Sequence, residues 1–563
     1  MLRYPILDCR KQICKRIAEA VGVFSESNYD TLNSKLRLNH KFNHDLSSVY
    51  FYISAKDLKS LNVPNMNNIL SMECDSTIKH VSKNSIEGEE SIIFHVDKNE
   101  LYTSVLKTSL ISYGSEILRY SSKKKVVVDF SSPNIAKPFH MGHLRSTIVG
   151  NFVANIVSLS NNVKRLNYLG DWGTQIGYVK IGLDSLNVPD VLLLKNPMKE
   201  LYKAYSLAYN KGDSLGKAKE IFAELEKNSS SWTEEWKKIR LMTVEHLKEL
   251  YSSFGISFDE YLYESDYRAQ NISHVIDHMK NVGLICSTEN FLAMEMDGLK
   301  IPLFKSDGTT LYLMRDIASA LDRLNKYDCD TLMYVVDKSQ SEHLSRLKFA
   351  LSKLVETNVV YIPFGRVNGM STRKGTSIFL VDILNEAVKI MAKQQDNSPN
   401  TRSSDPEVTR ILGITCLLVY VLKHRRDRNF QFNWQNALQA TGDTGSKLQY
   451  THCRLCSLEE TCGVNLPTYV NATVLTEPTV FELMYELTRF QDVINCCQNE
   501  LESFYLVNYA FKLSNTVSRC LKNLPVKGQP SDIAQQRLLL FHTAKKFLHS
   551  SMKILGLQPL NKM

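Results

Sequence analysis

No stretch of this 563-residue chain is apolar for long enough to cross a bilayer as a helix. The longest nearly apolar run, Ile411 to Leu422 between Arg410 and Lys423, falls short of the about 20 residues a spanning helix takes. It reads as a buried helix. A dense cysteine framework is also missing. The 12 Cys are scattered over the whole chain, unlike those of a small secreted domain, so free thiols in a reducing compartment are expected. The tightest grouping, Cys453, Cys456 and Cys462 beside His452, lacks the second CxxC pair of a structural zinc site and lies in a helical pattern. Buried thiols are the preferred reading there, and no metal site is expected. Internal repeats and low-complexity tracts are absent. With 43% hydrophobic and 23% charged residues, disorder, collagen and coiled coil are excluded for most of the chain. Charge of one sign is in modest excess: 68 Lys+Arg against 59 Asp+Glu give +9. That suits a polyanionic partner such as nucleic acid without identifying one.

Domains usually run about 100–200 residues, so two to four are expected, and three blocks emerge. Residues 1–118 are of mixed character, with Asn/Ser-rich loops and a strand-like run from Ser91 to Val96. Within them, residues 1–20 carry Arg3, Arg10, Lys11, Lys15 and Arg16 with apolar residues at helical spacing, against only Asp8 and Glu19. This fits a transit peptide, though with two acids and almost no Ser, and a first amphipathic helix of the folded body equally well. Residues 119–395 open with Val126 to Phe130, a buried-strand pattern, then a loop to Pro138, a helix from Gly142 and a strand from Lys164 to Leu169. This is a β-α-β unit. A largely helical stretch, about 190–280, interrupts it. Strands resume at Thr331 to Val336 and Val359 to Pro363. Residues 396–407, with Pro399 and Pro406, read as a linker, and 408–563 as an all-α bundle.

Chemistry concentrates in three strings. The first, Ser132 to His143, reads SPNIAKPFHMGH and lies between a strand and a helix start. Unpaired N–H groups and the helix dipole there favour anions, and Gly142 permits close approach of a ligand to the backbone. His140 and His143 are three apart and share one side of the first turn. With Lys137 they suit a polyphosphate whose charge grows during reaction. A bare HxxH fits a metal-binding pair or plain surface histidines as well. The second string, Met370 to Gly375, reads MSTRKG: small, flexible residues with the cations Arg373 and Lys374. The third is LYLMRD, Leu311 to Asp316, on a helical pattern that puts Tyr312 and Asp316 on one face.

HMGH resembles the HIGH signature of class I aminoacyl-tRNA synthetases. The longer SSPNIAKPFHMGHLRST and the segment Tyr168 to Gln175 resemble arginyl-tRNA synthetases in particular. MSTRKG is similar to the family's KMSKS loop in its arginyl form, where a lysine upstream of the first motif, here Lys137, stands in for a missing one. The resemblance covers about residues 90–563. It implies a Rossmann-like parallel-sheet catalytic domain of α/β class, a C-terminal helical anticodon-binding bundle, and a small N-terminal α+β domain that contacts the tRNA elbow.

The resemblance also implies site roles. His140, His143, Lys137, Arg373 and Lys374 would be catalytic, and His140, Gly142, His143, Met370 and Ser371 would bind ATP. Tyr312, Asp316 and Gln340 would line the arginine side-chain pocket, where a planar guanidinium pairs bidentately with a carboxylate. Asn134 and Asp129 would hold the substrate's backbone end. The family more often has Glu where this chain has Asp129. Phe94, Lys447, Tyr450, Arg454 and Met563 would contact tRNA. Lys447 stands where an aromatic residue is usual. The implied reaction is arginine–tRNA ligation with ATP and Mg²⁺ as substrate and no tightly bound metal or organic cofactor. The implied partners are tRNA(Arg), arginine and ATP, with no membrane, for a monomer. Thr331 to Gln340 and LQYTHCRLCSLEE look closest to the metazoan mitochondrial form, so the mitochondrial matrix is expected, with the cytoplasm as runner-up. The alternatives are another class I synthetase and a catalytically silent RNA-binding paralogue. Tyr312, Asp316 and Gln340 oppose the first. Intact HMGH, Lys137 and MSTRKG oppose the second.

Overall fold

The computed structural model describes all residues outside 1–4, 22–30, 34, 39–48, 62, 64–65, 76, 87, 112–123, 137–140, 228–229, 269–271, 288–291, 306–308, 370–379, 397–404 and 440. The first described element is helix α1 (Pro5–Val21). Its Ile13, Cys14 and Ile17 are fully buried, and Arg10 reaches across the fold to Asp492 at 2.7 Å. The segment is therefore a packed helix of the folded body in this structure.

An antiparallel sheet follows: β1 (Arg37–Leu38), β2 (Val49–Ser54), β3 (Ile78–Ile86) and β4 (Glu89–Val96), in the order β1-β2-β4-β3. Helix α2 (Lys98–Ile111) closes this block. Side chains alternate across a strand. Phe94 falls on the inward face of β4 and is 0% exposed, which corrects its expected placement at a tRNA surface. The neighbouring His95 lies on the other face, stacked on His80 with ring centroids 4.0 Å apart.

The central block is built on a parallel sheet of β5 (Lys125–Asp129), β6 (Asn162–Leu169), β7 (Glu260–Tyr263), β11 (Thr331–Asp337) and β12 (Asn358–Phe364). Its order is β12-β11-β5-β6-β7, parallel throughout. Helix α3 (Met141–Val157) joins β5 to β6, and α4 (Thr174–Leu186) follows β6. The helical insertion continues through α5 (Pro197–Asn210), α6 (Leu215–Glu226) and α7 (Thr233–Ser253). It ends sooner than the expected 280, because β7 rejoins the sheet. A four-residue edge strand is too short to leave a period-two signature. Helix α8 (Ser273–Asn281) and a small antiparallel sheet, β8 (Ile285–Ser287), β9 (Leu292–Met296) and β10 (Leu299–Pro302), come next. Helices α9 (Tyr312–Tyr327) and α10 (Ser341–Leu354) flank β11 in sequence.

Central strand β5 feeds two cores. Val126 and Val128 pack with α3 in one hydrophobic cluster, and Val127 packs with α9 and α10 in another. Each such valine stabilises the fold by roughly 1.5–3 kcal/mol. Gly150 in α3 is required by packing: a Cβ there would stand 2.2 Å from the Cβ of Phe130.

After β12, the short strand β13 (Val367–Asn368) pairs in parallel with β14 (Phe430–Gln431). Helix α11 (Leu380–Asp396) leads into the bundle: α12 (Pro406–Leu422), α13 (Gly445–Thr461), α14 (Pro478–Glu500), α15 (Phe504–Asn523) and α16 (Ser531–Ile554). The Asp405 side chain caps α12 by accepting from the Glu407 N–H, and Pro406 occupies its first turn. The apolar run Ile411 to Leu422 lies within α12 and is buried throughout. Among the described residues no helix is long and apolar enough to cross a membrane.

Candidate active site

Topology gathers the functional strings. In a doubly wound sheet, ligands bind beyond the carboxyl ends of the strands, where the strand order reverses. Here that point lies between β5 and β11. Helix α3 follows β5 and α10 follows β11, so both helices begin at this edge. Helix α9 precedes β11, so its first turns lie at the same edge. His143 on α3, Tyr312 and Asp316 on α9, and Gln340 at the start of α10 are thereby brought to one rim. Gly142 lies in the first turn of α3. Lys137, His140, Met370, Ser371, Arg373 and Lys374 lie outside the described residues.

Directly after β5 the backbone turns through left-handed conformations at Ser131 (φ 69°) and Ser132 (φ 39°). Non-glycine residues rarely adopt these, at about 1–2 kcal/mol each. Hydrogen bonds hold the turn. The Ser131 N–H donates to Ser146 Oγ at 3.0 Å, and Ser131 Oγ bonds Thr147 Oγ1 at 2.6 Å and the Tyr251 hydroxyl at 2.8 Å. Ser132 Oγ donates to Asp129 Oδ1 at 2.5 Å and accepts the Tyr168 N–H at 3.0 Å. The turn then delivers Asn134 to a bridge with Gly170 at the end of β6. Asp129 also takes a buried ion pair from Arg323 at 2.8 Å, so its two oxygens brace this turn from beneath.

The pocket on α9 is rich in charge. Asp316 accepts a 2.6 Å hydrogen bond from His343 Nε2, one turn after Gln340. The Tyr312 ring is 54% exposed, lies 5.0 Å from the Arg315 guanidinium, and is hydrogen-bonded through its hydroxyl to Gln175. Arg315 is itself buried on Glu264 at 2.7 Å. Burial pushes Glu264 up to about 7 against the pull of Arg315, with Asp316 adding to the rise. The Tyr168 hydroxyl is buried with no hydrogen-bond partner among the described residues, and it senses both Asp316 and Glu264. Sequence reasoning missed Glu264, Arg323 and His343. Only Arg323 left a trace, seven residues beyond Asp316 on the helical stripe.

The stem of the MSTRKG loop is clamped by a further missed residue. Arg145, 1% exposed on α3, donates to the carbonyls of Gly365 (2.5 Å), Arg425 (3.1 Å) and Arg426 (3.0 Å), with a weaker bond to Arg366 (3.4 Å). Its guanidinium also lies 4.8 Å from the Phe430 ring centre on β14. Burial lowers Arg145 to about 10. In return, Arg426 reaches the Pro363 carbonyl at the end of β12 and the Leu501 carbonyl at 3.2 Å. Helix α3, the 365–366 segment after β12 and the helical bundle thus meet at one knot.

At the far end, Tyr450 on α13 is 48% exposed, with Arg454 beside its ring at 5.6 Å. Lys447 pairs with Asp443 at 2.7 Å. The C-terminal tail is pinned alongside. Gln449 Oε1 accepts the Leu560 N–H at 2.9 Å, and His452 Nδ1 and the Cys453 thiol both donate to the Leu560 carbonyl. Met563 packs partly buried against the core. Cys456 bonds Asn561, whereas Cys462 faces the carbonyls of Glu459 and Val464.

Known proteins share this arrangement. Residues 106–434 match the family model for the catalytic domain of class I tRNA synthetases (R), and residues 448–563 match the DALR anticodon binding domain. A probable mitochondrial arginine–tRNA ligase of Mus musculus is 35% identical over 515 residues, 87% of this chain and 88% of that protein. The cytoplasmic arginine–tRNA ligase of Saccharomyces cerevisiae is 36% identical over 478 residues, 80% of this chain and 78% of that protein. The arginyl-tRNA synthetases of Plasmodium falciparum (TM-score 0.80, 23% identity) and Thermus thermophilus (TM-score 0.81, 18% identity) share the fold over 100% of both chains. With its catalytic edge, its bundle and these relatives together, the chain belongs to the class I arginyl-tRNA synthetases, the arginine–tRNA ligases.

Proposed function

We propose that this chain activates L-arginine with MgATP and transfers it to the terminal adenosine of tRNA(Arg) in mitochondria. One observation carries the reading: Tyr312, Asp316 and Gln340, suited to a guanidinium, share the strand edge with the HMGH helix. Mitochondrial names among the relatives support the location, although cytoplasmic forms stand beside them.

In the first step the arginine carboxylate attacks the α-phosphate of ATP, giving arginyl-adenylate and pyrophosphate. Catalysis of such a step is mainly positioning and charge stabilisation. His140 and His143 act on the phosphates at the start of α3. Lys137, Arg373 and Lys374 close over the leaving pyrophosphate, and Met370 and Ser371 belong to the loop that carries them. Asp316 pairs with the guanidinium, Tyr312 and Gln340 flank it, and Asn134 holds the substrate's backbone end. Asp129 acts through Ser132 and Arg323, as a positioning residue. In the second step the 2′-hydroxyl of the terminal adenosine attacks the acyl carbon of arginyl-adenylate, a mixed anhydride, and AMP leaves with the cleaved acyl–phosphate bond. Tyr450, Arg454 and Lys447 bind the anticodon side of the tRNA, and Met563 anchors the tail beside them.

Charging of a tRNA(Arg) transcript with labelled arginine tests this reading. Wild type forms arginyl-tRNA, and His143→Ala cuts kcat far more than arginine KM. Unchanged kcat in that variant contradicts the role given to His143. Imaging of the tagged full chain in cells tests location, and a purely cytoplasmic signal contradicts the mitochondrial assignment.

A further inference from the structure

The imidazole of His343 is bonded to one oxygen of Asp316, the carboxylate proposed above to pair with the substrate guanidinium. Its Nε2 lies 2.6 Å from Asp316 Oδ2, and both side chains are about one quarter exposed, at 26% and 27%. Topology produces the contact. Asp316 is in the second turn of α9, and His343 is in the first turn of α10, which leaves the sheet beside it. An arginine substrate pairs best with both oxygens of a carboxylate. A histidine already bonded to one of them is therefore either a support for the carboxylate or a rival of the ligand. Its charge decides which.

We propose that His343 is a specificity-determining residue of the arginine pocket, an internal cation that holds Asp316 when protonated and yields it to the substrate when neutral. This rests on the arginine reading of the pocket given above. As an imidazolium, His343 neutralises the charge of Asp316 and so weakens its attraction for a second cation. Bound arginine favours the neutral imidazole, so the ring proton leaves to solvent as the guanidinium pairs. The neutral ring keeps an N–H on Oδ2 and holds the carboxylate plane in place.

The surroundings favour the protonated ring. Burial alone would lower His343, but the hydrogen bond and charge of Asp316 outweigh it and raise the group above its ordinary value, with Arg346 opposing. Other groups face the same carboxylate: Tyr168 from β6, Glu264 after β7 and Tyr334 from β11. Of these, Glu264, pushed up to about 7, changes charge near neutrality. Its burial with Arg315 gives it a separate partner. A cation entering the pocket expels protons from Glu264 too, so the test must separate the two.

Arginine KM is measured at pH 6 and pH 8 by ATP–pyrophosphate exchange with tRNA present. In parallel, L-arginine is titrated calorimetrically in two buffers of different ionisation heat. In wild type, KM is about tenfold higher at pH 6 than at pH 8, and binding releases protons. His343→Gln keeps an N–H donor without titrating. Its KM ratio falls to about twofold and its proton release shrinks. Glu264→Gln retains the His343 share of the release. His343→Lys, a cation at both pH values, holds KM high at both. A KM ratio and proton release in His343→Gln equal to wild type overturn the proposal while leaving the arginine reading intact. Failure of the wild-type chain to bind arginine at pH 8 overturns both.

Discussion

Replacing Arg145 by methionine separates what the buried guanidinium does for stability from what it does for catalysis. Methionine fills much of the same space and cannot donate. Three hydrogen bonds are lost: the buried one to the Gly365 carbonyl, and the part-buried ones to the Arg425 and Arg426 carbonyls, which keep the N–H of Arg428 and of Gly365. At about 1–2 kcal/mol each this costs about 3–6 kcal/mol, and the lost contact with Phe430 adds about 1 kcal/mol. Against it stands the expense of burying the charge. Arg145 is lowered from the ordinary arginine range to about 10, chiefly by desolvation, and removing the cation recovers about 3 kcal/mol. The balance is a net loss of about 2 kcal/mol, a shift of a few degrees in a large chain. The catalytic effect is not offset in this way. The 365–368 stem is no longer tied to α3, and misplacing a reacting loop by about 1 Å costs about 100-fold in rate. Arg145→Met is therefore expected to fold, to melt a few degrees early, and to lose about 100-fold in kcat for pyrophosphate exchange. Calorimetric melting and exchange kinetics on one preparation read both quantities. A kcat within threefold of wild type refutes the clamp, and a stability loss above about 6 kcal/mol refutes the desolvation argument.

Asp316→Asn keeps the shape and removes the charge. At a partly exposed site this is worth about 2 kcal/mol, so arginine KM rises about 30-fold with ATP KM unmoved; an unmoved arginine KM rules Asp316 out as the guanidinium acceptor. Gly150→Ala drives a methyl into Phe130 and is expected to cost more than about 2 kcal/mol in denaturant unfolding, with partial rescue by Phe130→Leu. Tyr450→Ala is expected to raise tRNA KM several-fold in charging assays without touching ATP affinity, and the reverse pattern contradicts its place on the RNA side. Acidification loosens the tail on α13. Burial, with His452, Lys553 and Lys545, holds His549 down at about 4. The unfolded chain binds that proton first, so stability is full above about 6.5 and falls by up to about 3 kcal/mol as pH drops toward 4. A pH series of urea melts checks this, and His549→Asn should flatten it.

Legible in the sequence is chemistry that travels in contiguous strings. Tyr312 and Asp316 are one helical turn apart, and the Ser132–His143 string sits where a β-α-β unit must place a loop. What sequence reading missed depends on contacts between distant segments. His343 meets Asp316 across 27 positions, and Arg145 meets the 425–426 carbonyls across about 280. No local pattern encodes either. Phe94 was misplaced by a single residue of strand alternation, since an aromatic on a half-buried strand suits either face. Strand β7 was hidden by its length, and α1 was legible as an amphipathic helix, though its composition is one that a presequence shares.

The proposed site sets a guanidinium acceptor, Asp316 on α9, at the same strand edge as the start of α3, proposed for ATP. ATP–pyrophosphate exchange by the full chain, run with each amino acid in turn and with or without tRNA(Arg), tests it most directly. The account predicts exchange with arginine alone, and only when tRNA is present. Exchange driven by another amino acid, or none with arginine and tRNA together, would contradict it.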